Sequence, residues 1–566
     1  MRASFSGYGF ARGSRAPAIG LTGHAVDKTA PAGTLVGTVV PPGPGWTVHL
    51  ADDAGGRFAL DAGRIVVGPT ALNRAEQPSP AILLAATDGR SARASRVAVD
   101  VMRPLPALPL AAGARLAAVG DSLIGYNNYG GVAIGSDKAA PSFAYGYVEQ
   151  ALAIDPRCDF DSWYDPADPN GRNLSGANHG IFGDHMDWTQ PGFGGGILGR
   201  LPAVIARGPS LLLLGGGSNS INSGDLRGTA TPASADYVID RLDAALRLAR
   251  SAGIPVVLAT LCPRGDWPAN DGRHRTLADV NIWIRAQASR AGIVGLCDPY
   301  ALLAPNGILN PALYMADKTH LNPRGAFLVG WDHLLPILRE AVSPRANPDP
   351  DAAIANLLPD SQAKLQGTNG IRLGSPIPSG SLAAGFSVQV IRNTGAIVCS
   401  KEIVSGNTEA QVLDITPADT SVPAFGQVEV MVPLVVLPSP TVGKWYRATL
   451  FVEIQGAEAL STARLSAALR TNGNSTNHAI AYAMSAFSPE LGSPIAADRS
   501  FWIRTKPLQA PVEVVCDRLS VALSLYFAKG AGVFRVKLTR LAIRDVPDPR
   551  PAWGYQSIAD RGSSPL

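Results

Sequence analysis

The stretch Ala117-Ala118-Val119-Gly120-Asp121-Ser122-Leu123 passes directly from apolar residues into a small polar turn. The run from Arg115 to Val119 predicts a short buried strand, and the glycines and asparagines that follow Leu123 predict an irregular loop. A serine at the end of such a strand is expected to be exposed. Ser122 is therefore the first candidate for a functional residue.

Strands and helices alternate from about Arg115 to Val342, which is typical of a parallel sheet covered on both faces. The predicted strands are Arg115 to Val119, Ser210 to Gly215, Ile254 to Leu261 and Ile293 to Cys297, with a weaker one before Asn178. The predicted helices are Pro141 to Ile154, Ala233 to Ala252, Arg275 to Ala291 and Pro323 to Ala341. In this architecture, ligands bind at the carboxyl ends of the strands.

Two further polar motifs fall at that edge of the sheet. Gly217-Ser218-Asn219 follows the second strand, and Asp317-Lys318-Thr319-His320 precedes the last helix. A serine hydroxyl needs a base to become a nucleophile, and a histidine can take up and return a proton near neutral pH. An aspartate three residues earlier can hold the other ring nitrogen if the loop curls into a turn. The set is therefore suited to acyl transfer.

This order of Ser, Asn, Asp and His resembles the GDSL/SGNH hydrolase family over residues 115–342. The resemblance implies a flavodoxin-like three-layer α/β/α domain and a serine esterase that needs no cofactor or metal. It also implies a catalytic triad of Ser122, Asp317 and His320. The implied oxyanion hole combines the backbone N–H groups of Ser122 and Gly183 with the side-chain amide of Asn219.

Gly183 lies in Asn178-His179-Gly180-Ile181-Phe182-Gly183-Asp184, which is similar to the second block of the family. Ser220 stands where the family more often has aspartate. We expect the cleft beside Gly183 to be lined by four substrate-binding residues, Asp121, Asp184, His185 and Trp188. The histidines and carboxylates between His179 and Asp187 do not match structural zinc spacings, so a metal site is not favoured.

The flanking segments predict two all-β sandwich domains around an α/β domain. The predicted boundaries are an arm over 1–16, a sandwich over 17–103, a proline-rich linker over 104–112, the hydrolase domain over 113–343, a linker over 344–352 and a sandwich over 353–566. The first sandwich resembles a cadherin-like repeat, but Leu72-Asn73-Arg74-Ala75-Glu76 departs from the family's acidic pattern, so no bound calcium is expected. The second resembles a jelly-roll module in which helices are absent.

Aromatic residues in the second sandwich leave two interpretations open. Trp445, Tyr446, Trp502 and Tyr526 are either core residues, which is favoured, or platforms that stack on sugars in a carbohydrate-binding module. The five cysteines are few and odd in number, so buried free thiols are favoured over a Cys262–Cys297 pair.

Composition narrows the classes of partner. The chain has 566 residues, of which 46% are hydrophobic and 17% charged, and its net charge is +4. No run of eighteen apolar residues and no concentrated basic patch are present, so neither a membrane nor a nucleic acid is an expected partner. No signal peptide is visible. We nevertheless expect extracellular or virion-associated action rather than cytoplasmic action.

The favoured function is removal of acetyl groups from a polysaccharide through an acyl-enzyme. Flanking β-modules and the lack of a long apolar lid favour this substrate over a free lipid. One alternative is a lipase or thioesterase of the same fold. Another is a structural or receptor-binding protein of a phage particle with a secondary esterase site. A homo-oligomer remains open.

Overall fold

The computed structural model describes residues 19–23, 25–73, 79–126, 146–163, 176–187, 196–223, 232–392, 394–417, 425–431, 440–456, 460–471, 476–483, 498–512, 514–528 and 533–553. The chain divides into two compact units. One contains residues 1–106 with 250–253, and the other contains residues 107–249 with 254–566.

The first unit is built from short strands. They are β1 (Gly20–Thr22), β2 (Ala25–Asp27), β3 (Leu35–Val40), β4 (Thr47–Asp52), β5 (Phe58–Asp61), β6 (Arg64–Val67), β7 (Ala81–Thr87), β8 (Ala92–Ala98) and β9 (Asp100–Met102). They form sheets in the orders β1-β3-β6-β5, β4-β7-β8 and β2-β9. Alternating side chains from all three sheets, including Phe58, Ile65 and Ile82, share one buried core. This agrees with an all-β unit, whereas the cadherin-like assignment remains a prediction, and the predicted motif residues 74–76 lie outside the described residues.

The second unit begins with alternating strands and helices. The strands are β10 (Leu116–Gly120), β11 (Asn178–Gly180), β12 (Leu211–Leu214), β13 (Val256–Ala259) and β14 (Ile293–Cys297). The helices are α1 (Ser122–Gly125), α2 (Tyr147–Ile154), α3 (Gly196–Ala206), α4 (Ser218–Ser223), α5 (Ala235–Ser251), α6 (Gly272–Ala286), α7 (Tyr300–Leu303), α8 (Pro323–Leu328) and α9 (Leu335–Ala341), with short 3₁₀ turns at Pro305–Gly307 and Pro311–Leu313.

The five strands are parallel and lie in the order β11-β10-β12-β13-β14. In chain order this is 2-1-3-4-5, the flavodoxin-like arrangement, so the predicted fold class is confirmed. All residues of β10, β12 and β13 are buried, as expected for strands covered on both faces. The weaker strand starts at Asn178 itself rather than before it.

The predicted helix from Pro323 to Ala341 is interrupted by a π-helical segment at Val329–Leu334. Pro336 explains the interruption, because proline has no N–H to donate to the carbonyl four residues earlier. The predicted helix from Pro141 begins at Tyr147 in the structure, and residues 127–145 lie outside the described part of the chain.

The rest of the second unit is mainly antiparallel. It contains α10 (Asp360–Ala363) and the strands β15 (Asn369–Leu373), β16 (Ser379–Gly380), β17 (Leu382–Arg392), β18 (Thr394–Ser405), β19 (Thr408–Pro417), β20 (Phe425–Met431), β21 (Trp445–Gln455), β22 (Leu460–Thr471), β23 (Thr476–Ala483), β24 (Arg499–Arg504), β25 (Leu508–Gln509), β26 (Arg518–Ala528) and β27 (Phe534–Val546), followed by a 3₁₀ turn at Pro551–Trp553. The expectation that helices are absent here was wrong for α10, which is one turn long.

These strands form two sheets, β15-β17-β20-β26-β22-β23 and β16-β18-β19-β27-β21-β24, with β25 paired to β21. Trp445, Tyr446 and Trp502 are each buried, which favours the core interpretation over exposed sugar platforms. The side chain of Tyr526 lies outside the described residues. The jelly-roll assignment remains a prediction.

Buried ion pairs join this sandwich to the α/β part of the same unit. Arg447, on β21, donates to Asp161 at 2.7 Å and to Asp351 at 2.8 Å, while only 4% of its side chain is exposed. Burial alone would raise the pKa of Asp161, but Arg447 and Arg504 outweigh it and hold that pKa well below its usual range. Asp351 lies in the segment predicted as a linker, and the predicted domain boundaries remain predictions.

All five cysteines are buried free thiols, as favoured from the sequence. Burial raises the pKa of Cys297 to about 12, so this thiol stays protonated and unreactive at neutral pH. In the described part of the chain, no helix is both long and apolar enough to cross a bilayer.

Candidate active site

The candidate nucleophile lies where β10 turns into α1. Asp121 caps this short helix, since its Oδ1 accepts from the backbone N–H of Leu123 at 3.1 Å. Gly120 keeps the turn close to the neighbouring strand, because a Cβ there would lie 2.8 Å from the carbonyl oxygen of Gly215. Ser122 is only 7% exposed, so the expectation of an exposed serine was wrong. The contact of its hydroxyl with His320, described next, contributes to this burial.

The structure brings Ser122, His320 and Asp317 into one hydrogen-bonded chain. The Oγ of Ser122 lies 2.7 Å from Nε2 of His320, across 198 residues of sequence. The other ring nitrogen, Nδ1, lies 2.6 Å from Oδ2 of Asp317. This geometry allows a proton to move from the hydroxyl to the imidazole, while the carboxylate holds the ring.

The loop that carries Asp317 and His320 is a tight turn. Lys318, between them, has a φ of +55°, and the N–H of Met315 donates to the carbonyl of His320 at 2.8 Å. The Oδ1 of Asp317 accepts from the backbone N–H groups of Thr319 at 2.9 Å and His320 at 3.0 Å. Burial opposes ionisation of Asp317, but these hydrogen bonds and the ring of His320 lower its pKa to about 2. The carboxylate is therefore ionised at neutral pH.

Aromatic rings position His320 from the other side. The ring of Tyr126 lies 4.9 Å from the imidazole and is tilted by 48°. Tyr126 in turn contacts Phe182 edge-on at 5.0 Å. Because Phe182 belongs to the loop that carries Gly183, the base and the candidate oxyanion loop share a packed wall.

Asn219, at the start of α4, is held by both ends of its amide. Its Nδ2 donates to the carbonyl of Asp184 at 3.0 Å, and its Oδ1 accepts from Arg264 at 3.2 Å. The amide NH₂ group of Asn219 carries two hydrogens, and one of them is used in the bond to Asp184. The predicted oxyanion role requires the other.

Gly183 lies in a four-residue turn closed by the N–H of Asp184 and the carbonyl of Ile181 at 3.2 Å. Its φ of +71° at the third position is the one that type II turns reserve for glycine. A Cβ at Gly183 would meet no atom within 4 Å, so backbone conformation rather than space requires glycine. The oxyanion roles of Gly183, Asn219 and Ser122 remain predictions.

The other predicted substrate-binding residues lie deeper than expected. Asp184 has no exposed surface and forms an ion pair with Arg200, and His185 is 6% exposed with Nε2 at 2.8 Å from Ser223. Asp121 is 2% exposed, and burial raises its pKa. This burial argues against direct contact with substrate for all three residues. Trp188 lies outside the described residues.

Comparison with known families identifies this region. Residues 118–326 match the model of the GDSL-like Lipase/Acylhydrolase family. This segment is a GDSL-like acylhydrolase domain. It is accordingly a carboxylic ester hydrolase. The match spans the strands and loops that carry Ser122, Gly183, Asn219 and the Asp317–His320 turn. No curated protein matches the chain.

Solved structures similar to part of this chain include three bacterial proteins. A putative acylhydrolase from Bacteroides fragilis is 21% identical over 42% of this chain and 89% of its own, with a TM-score of 0.27. A carbohydrate acetylesterase family member from Sinorhizobium meliloti is 15% identical over 40% and 97%, with a TM-score of 0.28. A catalytic mutant of an acetylxylan esterase from Geobacillus stearothermophilus is 18% identical over 42% and 100%, with a TM-score of 0.28. These values carry no argument about substrate.

Sequence reasoning missed three residues that support the candidate site. The Nδ2 of Asn178 donates to the carbonyl of Ile124 at 3.1 Å and so ties α1 to β11. Arg200 donates to Asp184 and to the carbonyl of His179 at 2.9 Å, and Arg264 contacts Asn219. The sequence held a signal for two of them. Asn178 is a polar residue at a predicted buried strand, and Arg264 follows β13 at the same edge of the sheet as the other motifs. No pattern singled out Arg200, since it lies within a helix. Among the described residues, no group of three or more His, Cys, Asp or Glu side chains could hold a metal ion.

Proposed function

We propose that Ser122, His320 and Asp317 form the catalytic triad of an esterase that removes acetyl groups from a polysaccharide. The hydrogen-bonded chain from Ser122 Oγ to His320 Nε2 at 2.7 Å carries this proposal. A lone serine–histidine contact has many structural explanations, but here Asp317 holds the second ring nitrogen at 2.6 Å. Three side chains aligned in the order of proton transfer are the arrangement that acyl transfer requires.

In the first half of the proposed reaction, Ser122 Oγ attacks the acetyl carbonyl carbon and His320 Nε2 takes its proton. The carbonyl oxygen becomes an oxyanion, which accepts hydrogen bonds from the backbone N–H groups of Ser122 and Gly183 and from Asn219 Nδ2. Each such donor contributes about 2.7 to 4 kcal/mol to stabilisation of the transition state. Collapse of the intermediate breaks the bond to the sugar oxygen, which receives the proton from His320.

In the second half, water attacks the acetyl-enzyme. His320 removes a proton from the water, and the same donors stabilise the second oxyanion. Acetate leaves as the proton returns to Ser122 Oγ. Throughout both halves, Asp317 stays ionised and fixes the imidazole orientation, as its pKa of about 2 requires.

The burial of the nucleophile favours a small acyl group. Ser122 is only 7% exposed, so an acetyl group reaches its Oγ more easily than a long acyl chain does. In chain order, β-rich regions precede and follow the α/β part, and such accessory regions suit a polymeric substrate better than a free lipid.

The test is acetate release from a panel of acetylated polysaccharides, together with hydrolysis of acetyl, butyryl and decanoyl esters of one chromophore. Ser122→Ala is the control. We expect acetate release by the wild type, loss of release by Ser122→Ala, and a preference for the acetyl ester. Faster turnover of the decanoyl ester would instead support a lipase or thioesterase. Equal activity of Ser122→Ala and wild type would contradict the triad.

A further inference from the structure

The segment Pro263-Arg264-Gly265-Asp266, which follows β13, contacts both halves of the candidate site. Arg264 donates to Asn219 Oδ1 at 3.2 Å, on the oxyanion side. The N–H of Gly265 donates to the carbonyl of Lys318 at 2.9 Å, within the Asp317–His320 turn. The carbonyl of Pro263 accepts from the hydroxyl of Tyr314 at 2.8 Å, just before that turn. This one segment therefore contacts both the residue that carries the candidate amide donor, Asn219, and the turn that carries the candidate base, His320.

The guanidinium of Arg264 is held in one orientation by its neighbours. Its Nε and Nη2 donate to the two carboxylate oxygens of Asp266 at 2.9 and 2.7 Å. It also lies 5.2 Å from the ring centroid of Trp267, and the residue is only 8% exposed. A forked ion pair fixes the plane of the guanidinium, so Nη1 is presented in one direction. That direction is towards Asn219.

An arginine can orient an asparagine because it is a donor only. If the Asn219 amide were flipped, its NH₂ group would face the N–H groups of Arg264, and two donors would oppose each other. With Oδ1 held by Arg264, the NH₂ group must lie on the opposite side, where one N–H donates to Asp184. Among the described residues no other acceptor takes the second N–H of Asn219, which is therefore available to an oxyanion. The positive charge on Arg264 also polarises the amide and strengthens its N–H as a donor.

We propose that Arg264 is a positioning residue that sets the orientation of Asn219 and thereby assembles the oxyanion hole. This inference rests on the proposed esterase function, and it concerns a residue that does not touch the reacting atoms. Arg264 should therefore affect the rate of the chemical step rather than substrate binding. Loss of Arg264 should lower kcat and leave KM nearly unchanged, because the oxyanion forms only after the substrate is bound.

The experiment is a double-mutant cycle of Arg264→Met and Asn219→Ala, measured as kcat and KM for one acetyl ester. Arg273→Met is the matched control, since Arg273 forms the same forked pair with a nearby aspartate, Asp271, and lies 5.1 Å from the ring of Trp267. In the described residues, its hydrogen bonds go to Asp271 and Asn222 and none reaches Asn219. The control thus removes a similar charge and a similar stacking contact.

We expect Arg264→Met to lower kcat about tenfold to a hundredfold and Asn219→Ala to lower it about a hundredfold to a thousandfold. The double variant should match Asn219→Ala within about threefold, because Arg264 has nothing left to orient. Arg273→Met should stay within about threefold of wild type. Arg264→Lys retains the charge but not the fork, so it should restore less than half of the lost activity.

Multiplicative losses in the double variant, or a kcat for Arg264→Met within threefold of wild type, would overturn the inference. General unfolding of Arg264→Met is recognised separately, by circular dichroism and thermal denaturation of the single variant, and Arg264→Lys then replaces it in the cycle. Failure of the proposed function has a different signature. In that case wild-type turnover would not depend on Ser122 at all, whereas failure of the inference alone leaves Ser122-dependent turnover in which the fold-losses of the two single variants multiply.

Discussion

Replacement of Asp317 by asparagine should damage the site more than replacement by alanine. The Oδ1 of Asp317 accepts two backbone N–H groups, at 2.9 and 3.0 Å, while Oδ2 faces Nδ1 of His320 at 2.6 Å. In Asp317→Asn, the two backbone donors force the amide oxygen to their side, so the NH₂ group faces the imidazole. A donor at that position stabilises the tautomer in which Nε2 carries the proton. Nε2 then cannot accept the proton of Ser122.

The expected loss of kcat in each variant follows from the tautomer of His320 and from the exposure of the Asp317 side chain. A carboxylate-to-amide change that imposes the wrong tautomer lowers kcat about 10⁴-fold, or about 5.4 kcal/mol at 1.36 kcal/mol per tenfold change. Asp317→Ala imposes no tautomer. Because the Asp317 side chain is 44% exposed, water can enter and partly replace it, so its loss should be smaller, on the order of 10³-fold.

The assay is steady-state hydrolysis of an acetyl ester at pH 7.5 by wild type, Asp317→Asn and Asp317→Ala. Circular dichroism and thermal denaturation serve as controls for folding. The expected order of kcat is wild type, then alanine, then asparagine. An asparagine variant as active as the alanine variant, or within tenfold of wild type, would refute the argument from the backbone donors.

Three further substitutions test the supporting geometry. Gly183→Ala should fold because the space for a Cβ is open, although the positive φ should lower its free energy of unfolding by about 1 kcal/mol. Its kcat should fall about tenfold as the turn relaxes, and an unchanged kcat would remove Gly183 from the oxyanion hole. Asp184→Asn leaves Arg200 buried without its carboxylate and should lower the free energy of unfolding by about 3 to 5 kcal/mol in urea titrations; a loss below 1 kcal/mol would contradict a structural ion pair. Asp161→Asn should destabilise the protein by roughly 3 kcal/mol at pH 7, because Arg447 loses a partner. In the folded protein the pKa of Asp161 lies below its ordinary 3.8, so its contribution is fully present above pH 3.8 and is lost progressively as the pH falls towards that lower pKa. The difference in melting temperature between variant and wild type should therefore shrink as the pH falls below 3.8, and a difference independent of pH would count against the ion pair.

The sequence alone determined the fold class and the residue types of the site. Alternation of apolar strands with amphipathic helices predicts a doubly wound sheet, since only strands buried on both faces can be apolar throughout. The motifs that carry Ser122, Asn219 and His320 follow strand ends or open a helix, so the topology of such a sheet places them at one edge before any distance is known.

Only the tertiary structure decided which polar side chains are buried and which residues form ion pairs and hydrogen bonds with each other. Asp121, Asp184 and His185 are polar residues close in sequence to the site, and the sequence does not indicate which polar side chains face the cleft and which are buried in ion pairs. Arg200 and Arg264 lie far along the chain from the groups that they hold, so no local spacing indicates them. Side-chain burial and long-range pairing depend on how distant segments pack, and that is settled when the whole chain is folded.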